Sequence, residues 1–311
     1  MFRKSRLMKS SCVLAAIALP TGVLAQGMLE EVVVTAQKRE QSLQDVPISV
    51  SVLSAEELND FKIESTTDLA LASPSINFQS GFAPHAGSFA IRGIGTFALE
   101  GGIQPSVSFV VDGVPIARVG EFVAEMADVE RIEILRGPQG TLFGRNATAG
   151  AISVVRKAPS DEFEVFVSGS ATDDQEYLTR AGVNGALTDN INGRISGYWK
   201  EYDGFINNIY TGDDEGDEES WGAVGKLDFM FTPDLSVLLT GDYRKTDTSS
   251  SPSIVSKVEE GPIGTLRLAA LGNGDIGAGQ KLVDDNFKIN NSFRQAANSE
   301  AWGVSADATW D

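Results

Sequence analysis

The side chains that most often perform chemistry are scarce in this sequence. His85 is the only histidine and Cys12 the only cysteine. Zinc and haem sites need several such ligands, and a nucleophile needs a base beside it, so metal, haem and triad chemistry are excluded and no cofactor or metal is expected. Paired carboxylates could hydrolyse glycosides, but the acids gather in loop-like tracts such as residues 213–219 without a framed pair. Gly93-Ile94-Gly95 resembles a fragment of a dinucleotide fingerprint, yet no helix pattern follows it and no acid stands on a second strand. What remains is main-chain chemistry. Glu31-Val32-Val33-Val34-Thr35-Ala36 is a β-branched stretch followed directly by a polar tract, residues 37–44. Left unpaired, such a stretch can add as a strand to the edge of a partner's sheet, with backbone hydrogen bonds supplying the affinity. The alternative is an ordinary first strand of its own domain.

Behind this stretch the pattern is that of an α+β unit over residues 45–157. Residues 46–53 alternate as a strand does. Ser54 with Glu57 forms a capping box that starts a short helix. Thr67-Asp68-Leu69-Ala70 suggests a second brief helix, ended by Pro74. From residue 89 onward short strands alternate with tight turns, and Asp112-Gly113 is a hairpin signal. Gly93, Gly113, Gly137, Gly140, Gly144 and Gly150 are expected to serve turns of positive φ or close backbone contacts.

The ends of the chain point to export. Residues 1–25 carry Arg3, Lys4, Arg6 and Lys9, then a short apolar run, then Val23-Leu24-Ala25. This is a secretory signal, and its apolar run is well short of the roughly 20 residues that span a bilayer. Cys12 lies inside it. The whole chain has 43 acidic and 25 basic residues and a formal net charge of −18, which argues against nucleic acid as a partner.

Beyond Pro159 the period becomes two. Phe163, Val165 and Val167 alternate with Glu164, Phe166 and Ser168; Ile191, Gly193, Ile195 and Trp199 alternate with Asn192, Arg194, Ser196 and Lys200. In all, about six segments of about ten residues show this pattern, the signature of transmembrane β-strands with one face to lipid and one to a polar lumen. Trp199, Trp221, Phe231, Tyr243, Trp302 and Trp310 stand near segment ends, where interfacial girdles belong. Short turns at residues 188–190 and 232–234 lie on one side and long connections on the other, as periplasmic turns and extracellular loops do. A soluble sandwich has no reason to obey that parity.

The sequence resembles the TonB-dependent outer-membrane receptors on several ordered stretches: EEVVVTAQKREQSLQDVPISVSV, IRGIGT, FVVDGVPI and VERIEILRGPQGTLFGRNATAGAISVVRK. The resemblance implies a signal peptide (1–25), a tail with the TonB box (26–44), a plug domain (45–157) and an incomplete antiparallel transmembrane β-barrel of about six strands (160–311). It implies that Glu31, Val32, Val33, Val34, Thr35 and Ala36 bind TonB, itself working with ExbB and ExbD. Arg92, Gly93, Asp112, Gly113, Arg136, Gly137, Pro138, Gly144, Arg145 and Gly150 would form the plug's structural motifs, with Arg92, Arg136 and Arg145 as anchors against the lumen wall. The implied protein is a receptor in the outer membrane of a Gram-negative bacterium, embedded in lipid, and is not an enzyme. It would take up a scarce solute such as an iron chelate, cobalamin or a glycan. A plugged transporter of this kind needs about 22 strands, so the chain reads as truncated and not transport-competent.

Overall fold

The computed structural model describes residues 33–35, 41–80, 87–96, 104–116, 128–208, 212, 214–249, 288–289 and 296–310. The expected signal segment, His85, Glu31, Val32 and Ala36 lie outside them.

The N-terminal unit opens with two short strands, β1 (Val33–Val34) and β2 (Gln41–Ser42), which pair antiparallel. Next come β3 (Ser49–Ser54) and α1 (Ala55–Asp60). The expected capping box is present: Glu57 N–H donates to Ser54 Oγ at 3.2 Å, and Ser54 N–H donates to Glu57 Oε2 at 2.9 Å. A 3-10 turn then runs into α2 (Leu69–Ala72). The strands β4 (Ile76–Ser80), β5 (Gly87–Ile91) and β6 (Ile94–Gly95) make a small sheet. Four strands follow around one short helix: β7 (Val107–Val111), β8 (Val114–Ile116), β9 (Val129–Arg136), α3 (Gly140–Phe143) and β10 (Gly150–Arg156). The central sheet has the order β3-β9-β10-β7-β8, with β10 parallel to β7.

This sheet is buried on both faces. Ile132, Ile134, Ile152 and Phe109 pack with Leu58, Leu69 and Phe89 on one side. Val34, Val46, Val110, Leu135, Phe143 and Ala151 pack on the other. A strand covered on both faces reads as a continuous apolar run, which is why β7, VSFVV, is buried throughout. Strand β3 begins at Ser49, later than the alternation from residue 46 suggests, because Pro47 has no N–H to give a ladder.

The glycine expectations hold at the turns. Gly93 and Gly113 have φ of +76° and +79°, following Arg92 at +54° and Asp112 at +45°, so each pair turns with φ positive at both central residues. A Cβ on Gly150 would lie 2.3 Å from Leu135 O, a contact only glycine escapes. Gly140 is an exception: it opens α3, and a Cβ there would meet nothing within 4 Å.

Residues beyond 160 form a wall. Its strands are β11 (Glu164–Ala171), β12 (Glu176–Thr188) and β13 (Ile191–Tyr202). After a loop carrying β14 (Ile206–Asn208) and β15 (Asp214–Glu215) come β16 (Glu218–Thr232) and β17 (Leu235–Ser249). The last two are β18 (Lys288–Ile289), which pairs with β14, and β19 (Ala296–Trp310). The wall is one antiparallel sheet of six strands in the order β11-β12-β13-β16-β17-β19, open at both edges. No described helix is long and apolar enough to cross a membrane, which leaves strand crossing untouched.

The alternation sorts the faces as expected. Asn184, Asn192, Arg194, Ser196, Lys226 and Thr240 are buried, whereas Val165, Val167, Ile195, Phe231 and Val304 are exposed. The polar face is covered because the N-terminal unit packs against it. Trp199 pairs with Trp221 and Tyr243 with Trp302, and the Trp221 and Tyr243 rings lie 5.0 Å apart. Phe231 stands ten residues from Trp221 on the same strand. At about 3.3 Å per residue and a tilt near 40°, these aromatic rows bound a band about 25 Å tall, the height of a barrel's lipid-facing belt.

Candidate functional site

Residues 33–35 of the expected coupling stretch are not free. Val34 is fully buried among Val46, Val110, Leu135 and Phe143, while Val33 stays about two-fifths exposed and pairs with Ser42. Thr35 closes the arrangement: its N–H donates to Glu133 Oε1 at 2.8 Å and its hydroxyl donates to the same oxygen at 3.0 Å. Arg131 Nε donates there as well, at 3.0 Å. The exposed, unpaired strand expected from the sequence is therefore corrected for residues 33–35, which are paired and docked. The physical reason is Glu133, a carboxylate at the centre of β9 with no solvent access. A buried charge must be hydrogen-bonded, and the tail supplies two of its three donors.

The anchors to the wall also differ from expectation. Among the described residues, Arg92 and Arg136 donate to serines of their own unit and not to the wall. Arg136 reaches Ser51 Oγ at 2.7 Å and Ser75 Oγ at 3.0 Å, and Arg92 reaches Ser49 Oγ at 3.5 Å. Arg145 is exposed. Each follows or precedes a glycine turn at the edge of the N-terminal unit, and that turn sets where the guanidinium can go. Gly137 N–H donates to Ala149 O, closing the Gly137-Pro138 corner around α3 that places Gly144 and Arg145.

Two other clusters hold the unit to the wall. In the first, Asp112 of the β7–β8 turn accepts from Arg156 N–H at 2.8 Å and Arg156 Nε at 2.7 Å. Lys226, an inward residue of β16, lies 3.0 Å from Asp112 Oδ2 and donates to Arg156 O at 2.9 Å. In the second, Arg194 of β13 grips both oxygens of Asp128 at 2.5 Å and donates to Glu164 Oε2 at 3.0 Å. The side chains of Arg194 and Asp128 are about one-twentieth exposed. Bidentate, charge-assisted pairs of this kind are the strong ones. Where the chain passes from β10 to the wall, Asn184 accepts from Ser160 N–H and donates to Glu162 O at 2.7 Å.

Burial pushes the Asp112 carboxyl up, but the charges of Arg156 and Lys226 and the hydrogen bonds from Arg156 outweigh it, holding Asp112 below its ordinary value of 3.8. A lowered carboxylate stabilises the fold above its unfolded value and loses that contribution as pH falls through the folded value. Acid titration of unfolding should therefore show stability lost below about pH 4, with Asp112→Asn weaker at neutral pH and flatter across that window. Equal acid slopes for the two proteins would refute the assignment.

No described group of three or more His, Cys, Asp or Glu side chains is placed to hold a metal ion. Residues 42–151 match the family model described as TonB-dependent Receptor Plug Domain. The pesticin receptor of Yersinia pestis is 28% identical over 227 residues, 71% of this chain and 33% of that protein. The vitamin B12 transporter BtuB of Vibrio vulnificus is 32% identical over 57% of this chain and 28% of its own length. Among solved structures, the ferric yersiniabactin uptake receptor FyuA from Yersinia pestis aligns with a TM-score of 0.68 at 21% identity, over 85% of this chain and 39% of that one. The outer-membrane ferripyoverdine receptor of Pseudomonas aeruginosa aligns at 0.64 with 20% identity, over 88% and 34%. The chain spans about a third of the length of the curated relatives it matches.

Proposed function

We propose that this chain, whose residues 42–151 match the TonB-dependent receptor plug domain, belongs to the TonB-dependent outer-membrane receptors and that the complete protein is an energy-coupled uptake receptor for a scarce solute. Relatives named for ferric yersiniabactin, ferripyoverdine and vitamin B12 favour an iron chelate or a cobalamin-like molecule as cargo. The plug occupies the lumen face of the wall, and residues 31–36 are the point at which TonB, driven through ExbB and ExbD, takes hold. Uptake belongs to the closed wall; six strands with two unpaired edges cannot satisfy their backbone groups in lipid.

The observation that carries this reading is the attachment of Val33, Val34 and Thr35 to β9, an interior strand of the plug sheet, and to the core beside it. A force applied to the tail is delivered to β9, the strand that β3 and β10 both pair with. The docked strand is short, and exchange onto a partner's sheet edge costs, among the described residues, two backbone pairings, the burial of Val34 and the two hydrogen bonds from Thr35 to Glu133.

Val33→Pro tests the reading in the protein expressed from its complete gene. Proline removes a backbone donor and fixes φ near about −65°, so a strand added to the partner loses a ladder bond and clashes. Energised uptake should fall at least about tenfold, the effect of about 1.4 kcal/mol, with surface ligand binding nearly unchanged. Val33→Ile should be nearly silent. Parallel loss of binding and uptake would make this segment a structural strand only.

A further inference from the structure

The outer face of the wall is not evenly filled. On β12 and β13, Gly185 stands directly opposite Gly193, and on β16 and β17, Gly225 stands opposite Gly241. These outward positions border an apolar groove of about 820 Å³, rimmed by Phe163, Leu187, Ile195, Leu227, Leu239 and Val304. Side chains directly opposite on neighbouring strands normally stand about 5 Å apart and cover the backbone between them. Phe163 and Leu187 fold over Gly185 and Gly193, whereas a Cβ on Gly225 would meet nothing within 4 Å and one on Gly241 only Val304, so the backbone is bare at the second pair.

We infer that this groove seats an acyl chain of a phospholipid from the periplasmic leaflet, an inference that rests on the wall's being the lipid-facing wall of an outer-membrane receptor. Three observations choose the occupant. The groove lies between the aromatic rows at Trp221 and Phe231, so hydrocarbon and not headgroup surrounds it. Its rim carries no outward charge, which suits an acyl tail and gives a headgroup nothing to hold. It also runs down to Leu187, beside the tight turn between β12 and β13, and to Phe163, just before β11. Short turns mark the periplasmic end of such a wall, and the leaflet at that end of an outer membrane is phospholipid, whereas the opposite one is lipopolysaccharide. The apolar chain fits because dispersion contacts in lipid reward close packing against bare backbone, the role small residues play between membrane helices.

The test fills the groove. A Cβ on Gly225 would meet nothing within 4 Å, and on Gly241 only Val304 Cγ1 at 3.8 Å, so Gly225→Leu with Gly241→Leu occupies the space without strain. The control is Ala223→Leu, two positions away on the same outward face. Protein expressed from its complete gene and extracted from outer membranes is examined by native mass spectrometry in mild detergent. Wild type and Ala223→Leu should retain bound phosphatidylethanolamine, and the filled variant should lose at least about ten times more of it than the control does. Equal retention by all three, retention of lipopolysaccharide in place of phospholipid, or a dimer dissociated by filling would overturn the inference. Recovery of the protein in the soluble fraction would instead overturn the receptor reading beneath it.

Discussion

Glu133→Gln is expected to raise the maleimide-labelling rate of a Val34→Cys reporter, fully buried in the docked tail, by about 10- to 100-fold. Glu133 Oε1 accepts both the N–H and the hydroxyl of Thr35, and the carboxylate is fully buried. Hydrogen bonds to a charged group contribute about 1.5–3 kcal/mol, and each 1.4 kcal/mol is a factor of ten in the open fraction. Glutamine keeps the shape, loses the charge and places an amide where Glu133 Oε2 already has no partner among the described residues. Thr35→Val, which deletes only the hydroxyl, should raise the rate less. Local release must be separated from general loosening, so Val110→Cys, buried in the same cluster, serves as the second reporter. If both reporters speed up together, Glu133 is holding the sheet and not the tail. An unchanged rate at position 34 would remove Glu133 from the docking altogether.

The parts of the fold that local rules govern were legible in the sequence. Ser54 with Glu57, the glycine turns at Gly93 and Gly113, and the period-two segments each depend on residues a few positions apart. The docking of the tail was not, because Thr35 and Glu133 are 98 positions apart and a glutamate in VERIEILR reads as a solvated alternation partner. The same limit hid the wall clusters. Arg194 and Lys226 lay in the polar phase of their strands, which marked them as inward, but Asp128 is 66 residues from the first and Arg156 is 70 from the second. The resemblance marked Arg92, Arg136 and Arg145 as anchors against the lumen wall, whereas Arg92 and Arg136 donate to Ser49, Ser51 and Ser75.

Arg194→Ala should destabilise the folded protein by about 3–5 kcal/mol, the cost of leaving one side of a buried pair without its partner. Asp128 would then stand buried without its bidentate donor, and Glu164 would lose its contact as well. Chemical unfolding followed by tryptophan fluorescence should show the midpoint falling with little change in slope. Arg194→Lys should recover only part of the loss, since an ammonium cannot grip both Asp128 oxygens in the fork that guanidinium provides. The double variant Arg194→Leu with Asp128→Asn should lie well above the single alanine, because it leaves no buried charge without a partner and asparagine tolerates the positive φ of position 128. If Arg194→Ala costs less than about 1 kcal/mol, the pair behaves as a surface pair does, and the plug is held to the wall elsewhere.

Seven residues, 157–163, separate β10 from β11, and Asn184 clasps that crossing through Ser160 and Glu162. A tether so short holds Asp112 and Asp128 near Arg194 and Lys226 at an effective concentration in the millimolar range from the moment both segments exist. Without the N-terminal unit the wall would keep, among the described residues, only Glu164 beside Arg194, and Lys226 would lose Asp112. The tether thereby favours docking of the N-terminal unit onto β13 and β16 of its own chain over docking onto another copy.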